Sequence, residues 1–233
     1  MFTRFAVAAL ALMLAGCAAY KGGQAGPSAT GSSPWPADLR MPGKIYRIDQ
    51  AQSELRILVY RAGPLARFGH NHVVVNRSIQ GAAKVAGGRV GFSLNVPAER
   101  FMVDDPQARR EEGADFAAPV PEDARSGTLQ HMLSAAVLDA DAFPEISVIG
   151  VAGFPGAAPM RFTVTIRVAG HESTVEVPLT LKIDARSLSA AGSLELRQSA
   201  LGLTPYSLML GALQVQDALI VKFKIVAVDS GGS

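Results

Sequence analysis

Apolar and polar residues alternate with a period of two along most of the chain after Lys44. In one stretch, Phe162, Val164 and Ile166 are separated by single threonines. This spacing predicts β-strands with one buried face, because successive side chains of a strand point to opposite faces of the sheet. The pattern predicts at least eight strands, which lie at Ile45–Ile48, Leu55–Tyr60, Arg89–Val96, Glu145–Val151, Arg161–Val168, Thr174–Ile183, Gly192–Gln198 and Leu219–Val228.

Short turns join most of these predicted strands, and the connection Ala169–Glu172 is one of them. Eight or more strands joined in this way favour an antiparallel sheet that curls into a barrel. A sandwich of two sheets is the alternative, since both architectures have the same alternating pattern. The sequence therefore predicts an all-β, mostly antiparallel domain.

One segment, Gly127–Ile146, breaks the strand pattern. Ser126 is expected at the N-cap of a helix there, and Pro144 is expected to lie beyond its end. A single helix between strands suggests a lid or plug on the sheet, so His131 and Met132 are candidate ligand contacts. The apolar residues with the spacing of a half-buried helix are Leu129, Met132, Leu133, Ala136 and Val137.

The segment Pro97–Arg125 has no clear period and is rich in proline and charged residues. Long connections of this kind are commonly functional or unstructured. We therefore expect a long mobile loop, in which Asp104 and Asp105 belong to a solvated run of charges.

The first residues have the features of an export signal. Arg4 precedes the ten apolar residues Phe5–Leu14, a run too short to cross the bilayer as a helix. The sequence Leu14-Ala15-Gly16-Cys17 resembles the lipobox of bacterial lipoproteins, and Cys17 is the only cysteine of the chain. We therefore expect a lipoprotein signal peptide at residues 1–16 and lipid attachment at Cys17.

The chain from Ala18 to Pro42 is rich in Gly, Ser, Ala and Pro, which is typical of a flexible tether. We expect the lipidated cysteine and tether at residues 17–43, the folded domain at 44–229 and a tail at 230–233. Ala18 after the cysteine resembles lipoproteins sorted to the outer membrane. The expected location is therefore the periplasmic side of that membrane, with the lipid anchor as the membrane contact.

Charge and motifs exclude some classes of function. The chain has 22 basic and 20 acidic residues, and it has no basic run that would favour nucleic-acid binding. It contains no glycine-rich nucleotide-binding loop and no Ser-His-Asp set with supporting spacing. We therefore predict a protein that is not an enzyme and that does not bind nucleic acid.

Three histidines are candidates for ligand contacts. His70 and His72 are two positions apart, so on a strand they would face the same side and could share a metal. His131 could contribute to the same site. The alternatives are a hydrogen-bonded turn at the barrel rim and contacts to the headgroup of a bound ligand. A histidine-based metal or haem protein is thus the alternative function, although we predict no metal site.

Seven short motifs follow one another along the domain: Tyr46–Ser53, Gly69–His72, His131–Ser134, Phe143–Ile146, Phe162–Ile166, Val175–Leu179 and Leu201–Leu203. Their order and spacing resemble the YceI-like family of exported lipid-binding proteins, and the resemblance covers Lys44–Val228. The departures include Leu129-Gln130, where the family usually has Arg-Asp before the helix histidine. These departures concern the ligand more than the fold.

The resemblance implies a lipocalin-like β-barrel of about eight strands, with one or two short helices near the mouth. It also implies a long apolar ligand, typically a polyisoprenoid such as an isoprenoid quinone or polyprenyl phosphate, and no other cofactor. An interaction module with a solidly packed barrel is a further hypothesis. The candidate ligand-binding residues are His70, His72, Phe92, Leu94, His131, Met132, Phe143, Phe162, Val164 and Ile166.

Overall fold

The computed structural model describes Trp35, residues 37–153 and residues 159–230, and these residues form twelve β-strands and two α-helices. The helices are α1 (Pro106–Glu111) and α2 (Glu122–Leu133). The strands are β1 (Lys44–Ile48), β2 (Glu54–Ala62), β3 (His72–Asn76), β4 (Gln80–Ala86), β5 (Arg89–Pro97), β6 (Met102–Val103), β7 (Glu145–Gly153), β8 (Met160–Val168), β9 (His171–Ile183), β10 (Ser187–Arg197), β11 (Ser207–Leu208) and β12 (Leu213–Asp229).

The sheet closes into an antiparallel barrel of eight strands. Neighbouring strands follow the order β1, β4, β5, β7, β8, β9, β10 and β12, and β12 pairs again with β1. All these pairings are antiparallel, as the alternating pattern predicted. The predicted all-β, lipocalin-like barrel is therefore confirmed.

The barrel wall branches where β1 gives way to β2. Both strands run along the same edge of β12, but β1 also pairs with β4, whereas β2 pairs with β3. Ser53 fixes this break, because its buried hydroxyl donates to the Asp49 carbonyl and accepts the Val226 N–H at 3.0 Å. The serine of the first motif thus has a structural role.

The prediction of a long mobile loop at Pro97–Arg125 is wrong. This segment contains β6 and α1, and it leads into α2. Ion pairs hold α1 on the outer face of the barrel, where the Arg56 guanidinium contacts Glu111 and Glu112 at 2.8 Å. Lys222 of β12 also pairs with Glu112. These ion pairs therefore hold the segment on the barrel, whereas the sequence pattern predicted that its charges are solvated.

The predicted helix exists, but its boundaries differ. Helix α2 has Pro121 at its N-cap, and Ser126 lies inside the helix, where its hydroxyl donates to the Glu122 carbonyl. The helix ends at Leu133, since Ser134 is extended and its hydroxyl donates to the His131 carbonyl. Strand β7 begins directly after Pro144, as the proline predicted.

The described residues from Leu39 to Ala227 contain every residue of the three buried apolar clusters. This segment therefore has its own hydrophobic core and can fold as a unit. Trp35 docks on it, with the Lys84 ammonium 5.5 Å from the indole ring. Within the described part of the chain, α1, α2 and the shorter helical turns all lack the length and apolar character of a membrane-spanning helix. The predicted signal peptide, Cys17 and residues 231–233 lie outside the described residues.

Candidate functional site: the barrel interior and its mouth

The barrel encloses a cavity of about 680 Å³. The inward side chains of the alternating strands form its wall. The interaction-module hypothesis predicted a solidly packed interior, so the cavity contradicts it. The apolar wall includes Leu55, Ile57, Val59, Val74, Val90, Phe92, Leu94, Val96, Val148, Phe162, Val164, Ile166, Val177, Leu179, Leu181, Leu188, Ala190, Leu194, Leu196, Leu219, Val221, Phe223 and Ile225.

One end of the barrel is formed by a tightly packed cluster of apolar side chains. Tyr46, Phe162 and Leu188 are almost fully buried there, and the phenol of Tyr46 donates to the Asp184 carbonyl at 3.4 Å. The Phe92 and Phe162 rings pack with their centroids 5.7 Å apart. This arrangement closes the barrel at the end where β1 begins, and we call it the closed end.

The opposite end is the mouth, where β2 ends and β12 begins. Helix α2 lies across it, and the helix contributes Thr128, His131 and Met132 to the cavity lining. After the helix, Leu138 is buried in the same apolar cluster as Leu201. The lid or plug predicted from the helical spacing is thus in place, and it lies over an apolar interior.

The polar lining residues are found at this mouth. The His131 ring meets the Tyr206 ring edge-on, with centroids 4.4 Å apart. Thr128 Oγ1 lies 3.5 Å from His72 Nε2, and the Gln198 amide donates to the Gln216 carbonyl at 2.8 Å. The cavity therefore has a long apolar body and one polar end.

A buried ionic network orients His72. Its Nδ1 lies 2.7 Å from Asp104 Oδ2, while the other carboxylate oxygen accepts the Val73 N–H and a bond from Arg109. Burial alone would raise the pKa of Asp104, but the bonds from His72, Val73 and Arg109 outweigh it and lower the pKa. Asp104 thus holds one imidazole nitrogen and leaves Nε2 facing the cavity lining.

The prediction that Asp104 and Asp105 belong to a solvated run of charges is wrong for both residues. Asp104 is only 1% exposed and belongs to the network behind the mouth. Asp105 is the N-cap of α1, where its side chain accepts the Ala108 N–H at 2.9 Å. Sequence reasoning missed this role because the partners of Asp104 come from a strand and a helix elsewhere in the chain.

Eight of the ten predicted ligand contacts line the cavity. They are His72, Phe92, Leu94, His131, Met132, Phe162, Val164 and Ile166. Two are outside that lining. The Phe143 side chain is 41% exposed and packs against Gly170, and His70 lies at the rim with its ring centroid 6.1 Å from that of His72.

Pattern analysis also missed the lining residues Thr128, Gln198 and Tyr206. A usable signal existed for Thr128, because it lies one turn before Met132 on the predicted lid helix. Within residues 37–153 and 159–230, no group of three or more His, Cys, Asp or Glu side chains could hold a metal ion.

A closed antiparallel barrel with an apolar cavity, a polar mouth and a helical lid defines the lipocalin-like class of proteins. The sequence assigns it further, since residues 46–227 match the model of the YceI-like domain. The chain belongs to this family, and the resemblance drawn from its motifs is confirmed. No curated protein matches the sequence significantly.

The solved structures that share this fold include two with a TM-score above 0.5. The crystal structure of Burkholderia cenocepacia BcnA is similar with a TM-score of 0.54 and 15% sequence identity, over 77% of this chain and 99% of that one. A polyisoprenoid binding domain from Saccharophagus degradans, implicated in plant cell wall breakdown, gives a TM-score of 0.51 and 9% identity, over 79% of this chain and 98% of that one.

Proposed function

We propose that this protein binds or carries a long apolar lipid of the polyisoprenoid type inside its barrel, as a lipoprotein on the periplasmic side of the outer membrane. The observation that carries the proposal is the apolar cavity with one polar end. The likeness in fold to the polyisoprenoid binding domain from Saccharophagus degradans supports it. The protein is a binding protein in this proposal, with no catalytic step.

The apolar wall can supply useful affinity without any charged group. Burying one CH₂ group contributes about 0.8 kcal/mol, so even a few isoprene units give substantial binding energy. The strands leave a continuous row of aliphatic side chains from the mouth towards the closed end, with Val59, Ile57 and Leu55 on one wall. A slender, flexible hydrocarbon chain fits this surface better than a compact polar molecule.

The mouth favours a neutral headgroup over a phosphate. The described lining contains no Asp, Glu, Lys or Arg side chain. A buried anion without a cationic partner would be strongly disfavoured. The groups present are the hydroxyls of Thr128 and Tyr206, the imidazoles of His72 and His131, and the amide of Gln198. These groups suit the carbonyl or hydroxyl oxygens of an isoprenoid quinone.

Native mass spectrometry with solvent extraction tests the proposal. A chain that begins at Ala18 and is produced in a bacterial periplasm should show an excess of several hundred daltons that partitions into organic solvent. A small excess that matches a metal ion would favour the histidine-based alternative. An empty protein that takes up no prenyl compound would contradict lipid binding.

A matched pair of substitutions on β10 localises the ligand. Ala190 lines the cavity, whereas the next residue, Ala191, is exposed on the outer face. We expect Ala190→Trp to occupy the cavity and remove the bound lipid, while Ala191→Trp retains it. Equal retention by both variants would place the lipid outside the barrel.

The lipid anchor requires a separate measurement. Cys17 is the only possible thiol for attachment, so Cys17→Ser should abolish metabolic labelling with a fatty acid and leave the protein in the soluble periplasmic fraction. Labelling that persists in the variant would contradict lipid attachment at Cys17. This result is independent of whether the barrel binds a lipid.

A further inference from the structure

A hairpin of unusual composition projects from the mouth of the barrel. Strand β11 pairs with the start of β12 through Leu208 and Leu213, and the residues between them form the tip. Met209 in this tip is 74% exposed and Leu210 is fully exposed. Phe68, on the neighbouring loop, is 64% exposed. We call Phe68, Leu208, Met209 and Leu210 the tip surface.

The two loops of the tip surface form one unit. The Leu65 N–H donates to the Ala212 carbonyl at 2.7 Å. Gly63 has a φ of 89°, and a side chain there would lie 2.5 Å from the Gly211 carbonyl oxygen. Only glycine allows this close approach. The exposed Phe68 is therefore held beside the hairpin by backbone contacts.

The backbone of the tip has a conformation that large apolar residues rarely adopt. Met209 and Leu210 have φ values of 49° and 56°, in the left-handed region. Tight hairpins usually place Gly, Asn or Asp in such positions, because other residues are disfavoured there. Large apolar residues at exposed and strained positions point to a function outside the fold itself.

The charges around the tip surface favour an anionic partner. The segments Arg61–Asn71 and Leu203–Gln216 contain two arginines and no Asp or Glu. The Arg67 guanidinium lies 4.5 Å from the Phe68 ring centroid, and Arg61 donates to the Gly69 carbonyl at 2.6 Å. Both arginines are exposed beside the apolar residues. Apolar residues flanked by cations are the composition of surfaces that enter an anionic bilayer.

The tip surface also adjoins the opening of the cavity. Tyr206 precedes β11 and Val215 lies in β12, and both line the cavity. A bilayer that receives Met209 and Leu210 would thus meet the end of the barrel at which a lipid enters. From this geometry we infer that the tip surface inserts into a bilayer that contains anionic phospholipids. That a lipid enters the barrel at this end rests on the proposed function, whereas insertion of the tip surface into a bilayer requires no bound ligand.

Flotation with vesicles of phosphatidylcholine and phosphatidylglycerol tests this inference, with the chain that begins at Ala18. We expect the wild type to float with the vesicles and the double variant Met209→Asp, Leu210→Asp to bind roughly tenfold more weakly. The matched control is Met41→Asp, an exposed methionine at the opposite end of the barrel, which should bind within about twofold of the wild type. Equal binding by all three proteins, or no binding by the wild type, overturns the inference.

A fluorescent label gives an independent readout. The chain from Ala18 has no cysteine, so Leu210→Cys and Met41→Cys each carry one thiol for a polarity-sensitive dye. Vesicles should shift the emission of the dye to shorter wavelength at position 210 and leave it unchanged at position 41. No shift at position 210 contradicts insertion.

Self-association is a distinct outcome. A wild-type dimer that the tip substitutions dissociate, and that vesicles do not disrupt, would make the surface a protein interface and overturn the inference. Mass spectrometry of the same preparations separates this test from that of the proposed function, because bilayer binding can fail in a protein that still contains lipid.

Discussion

The two ends of the barrel use the same strands for different purposes. At the closed end, Tyr46, Phe162 and Leu188 are buried to 3%, 1% and 4% exposure. At the mouth, the lid helix α2 has no buried residue, and the apolar tip of the β11–β12 hairpin points into solvent. The closed end contributes packing energy, whereas the mouth leaves apolar surface and polar groups available for a ligand.

This difference shows where stability and function are located in the barrel. The buried side chains at the closed end hold the sheet together, and Phe162 and Leu188 also line the cavity from that end. The mouth contains the imidazoles of His72 and His131, and an ionic network behind His72 lies beside the apolar cluster that includes Leu138. We therefore expect the largest losses of stability from substitutions at the closed end.

The largest expected effect is on folding at the closed end. Phe162→Ala should lower the free energy of unfolding by about 3–4 kcal/mol, because it removes a fully buried ring from the apolar cluster. Met132→Ala on the half-buried lid should cost only about 1 kcal/mol. Urea denaturation of both variants measures the two values. A larger loss for Met132→Ala would reverse the assignment of stability to the closed end.

The alternation in the sequence predicted most of the barrel wall because strands with one buried face have a period of two, but it missed β4 at Gln80–Ala86. It placed the start of the last strand at Leu219, whereas β12 begins at Leu213. The register with β2 shifts between Val215 and Leu219, and this irregularity interrupts the alternation. Strand β10 also begins before its predicted start at Gly192, in a stretch where alanine and serine give weak contrast.

The candidate site was predictable only in part. Inward positions such as Leu94 and Ile166 follow from the strand pattern, and the helical spacing placed Met132 on the lid. The pattern could not show whether the barrel is hollow, since a filled barrel has the same alternation. It also missed Asp104, because the burial of a charge depends on Arg109 and His72, which different elements bring to it.

The ionic network behind His72 should contribute less to stability than the closed end does. Because the pKa of Asp104 is lowered, its carboxylate stabilises the folded state at pH values above the ordinary pKa of 3.8. This contribution is lost as the pH falls through the lowered pKa. Asp104→Asn should therefore cost about 2 kcal/mol at neutral pH, since the buried Arg109 loses its anionic partner but can still donate to the amide oxygen. The difference from the wild type should shrink as the solution is acidified below the ordinary pKa.

Urea denaturation at neutral and acidic pH measures this difference. Asp217→Asn is the control, because the pKa of Asp217 is also lowered, through hydrogen bonds from Ser199, but the carboxyl is accessible to solvent. The control should show a smaller loss at neutral pH. A constant difference between Asp104→Asn and the wild type at all pH values would mean that the Asp104 charge has no role in stability.

The smallest expected effect is a gain of stability from a substitution to glycine, which usually lowers stability. Leu210→Gly should raise the free energy of unfolding by about 0.5 kcal/mol, because glycine relieves the left-handed backbone by more than it adds to the freedom of the unfolded chain. In the same hairpin, Leu208 has an extended backbone with a φ of −120°, so Leu208→Gly should lower the stability. Thermal or urea unfolding of the pair gives both signs.

The Leu210→Gly variant also tests the contrast between the two ends of the barrel. If the tip surface serves a bilayer, Leu210→Gly should gain stability and lose vesicle binding in one step. A variant that gains stability and keeps full vesicle binding would show that the exposed leucine is not needed at the mouth. A loss of stability would instead mean that Leu210 contributes to the fold, and the contrast between a stabilising closed end and a functional mouth would not extend to the hairpin.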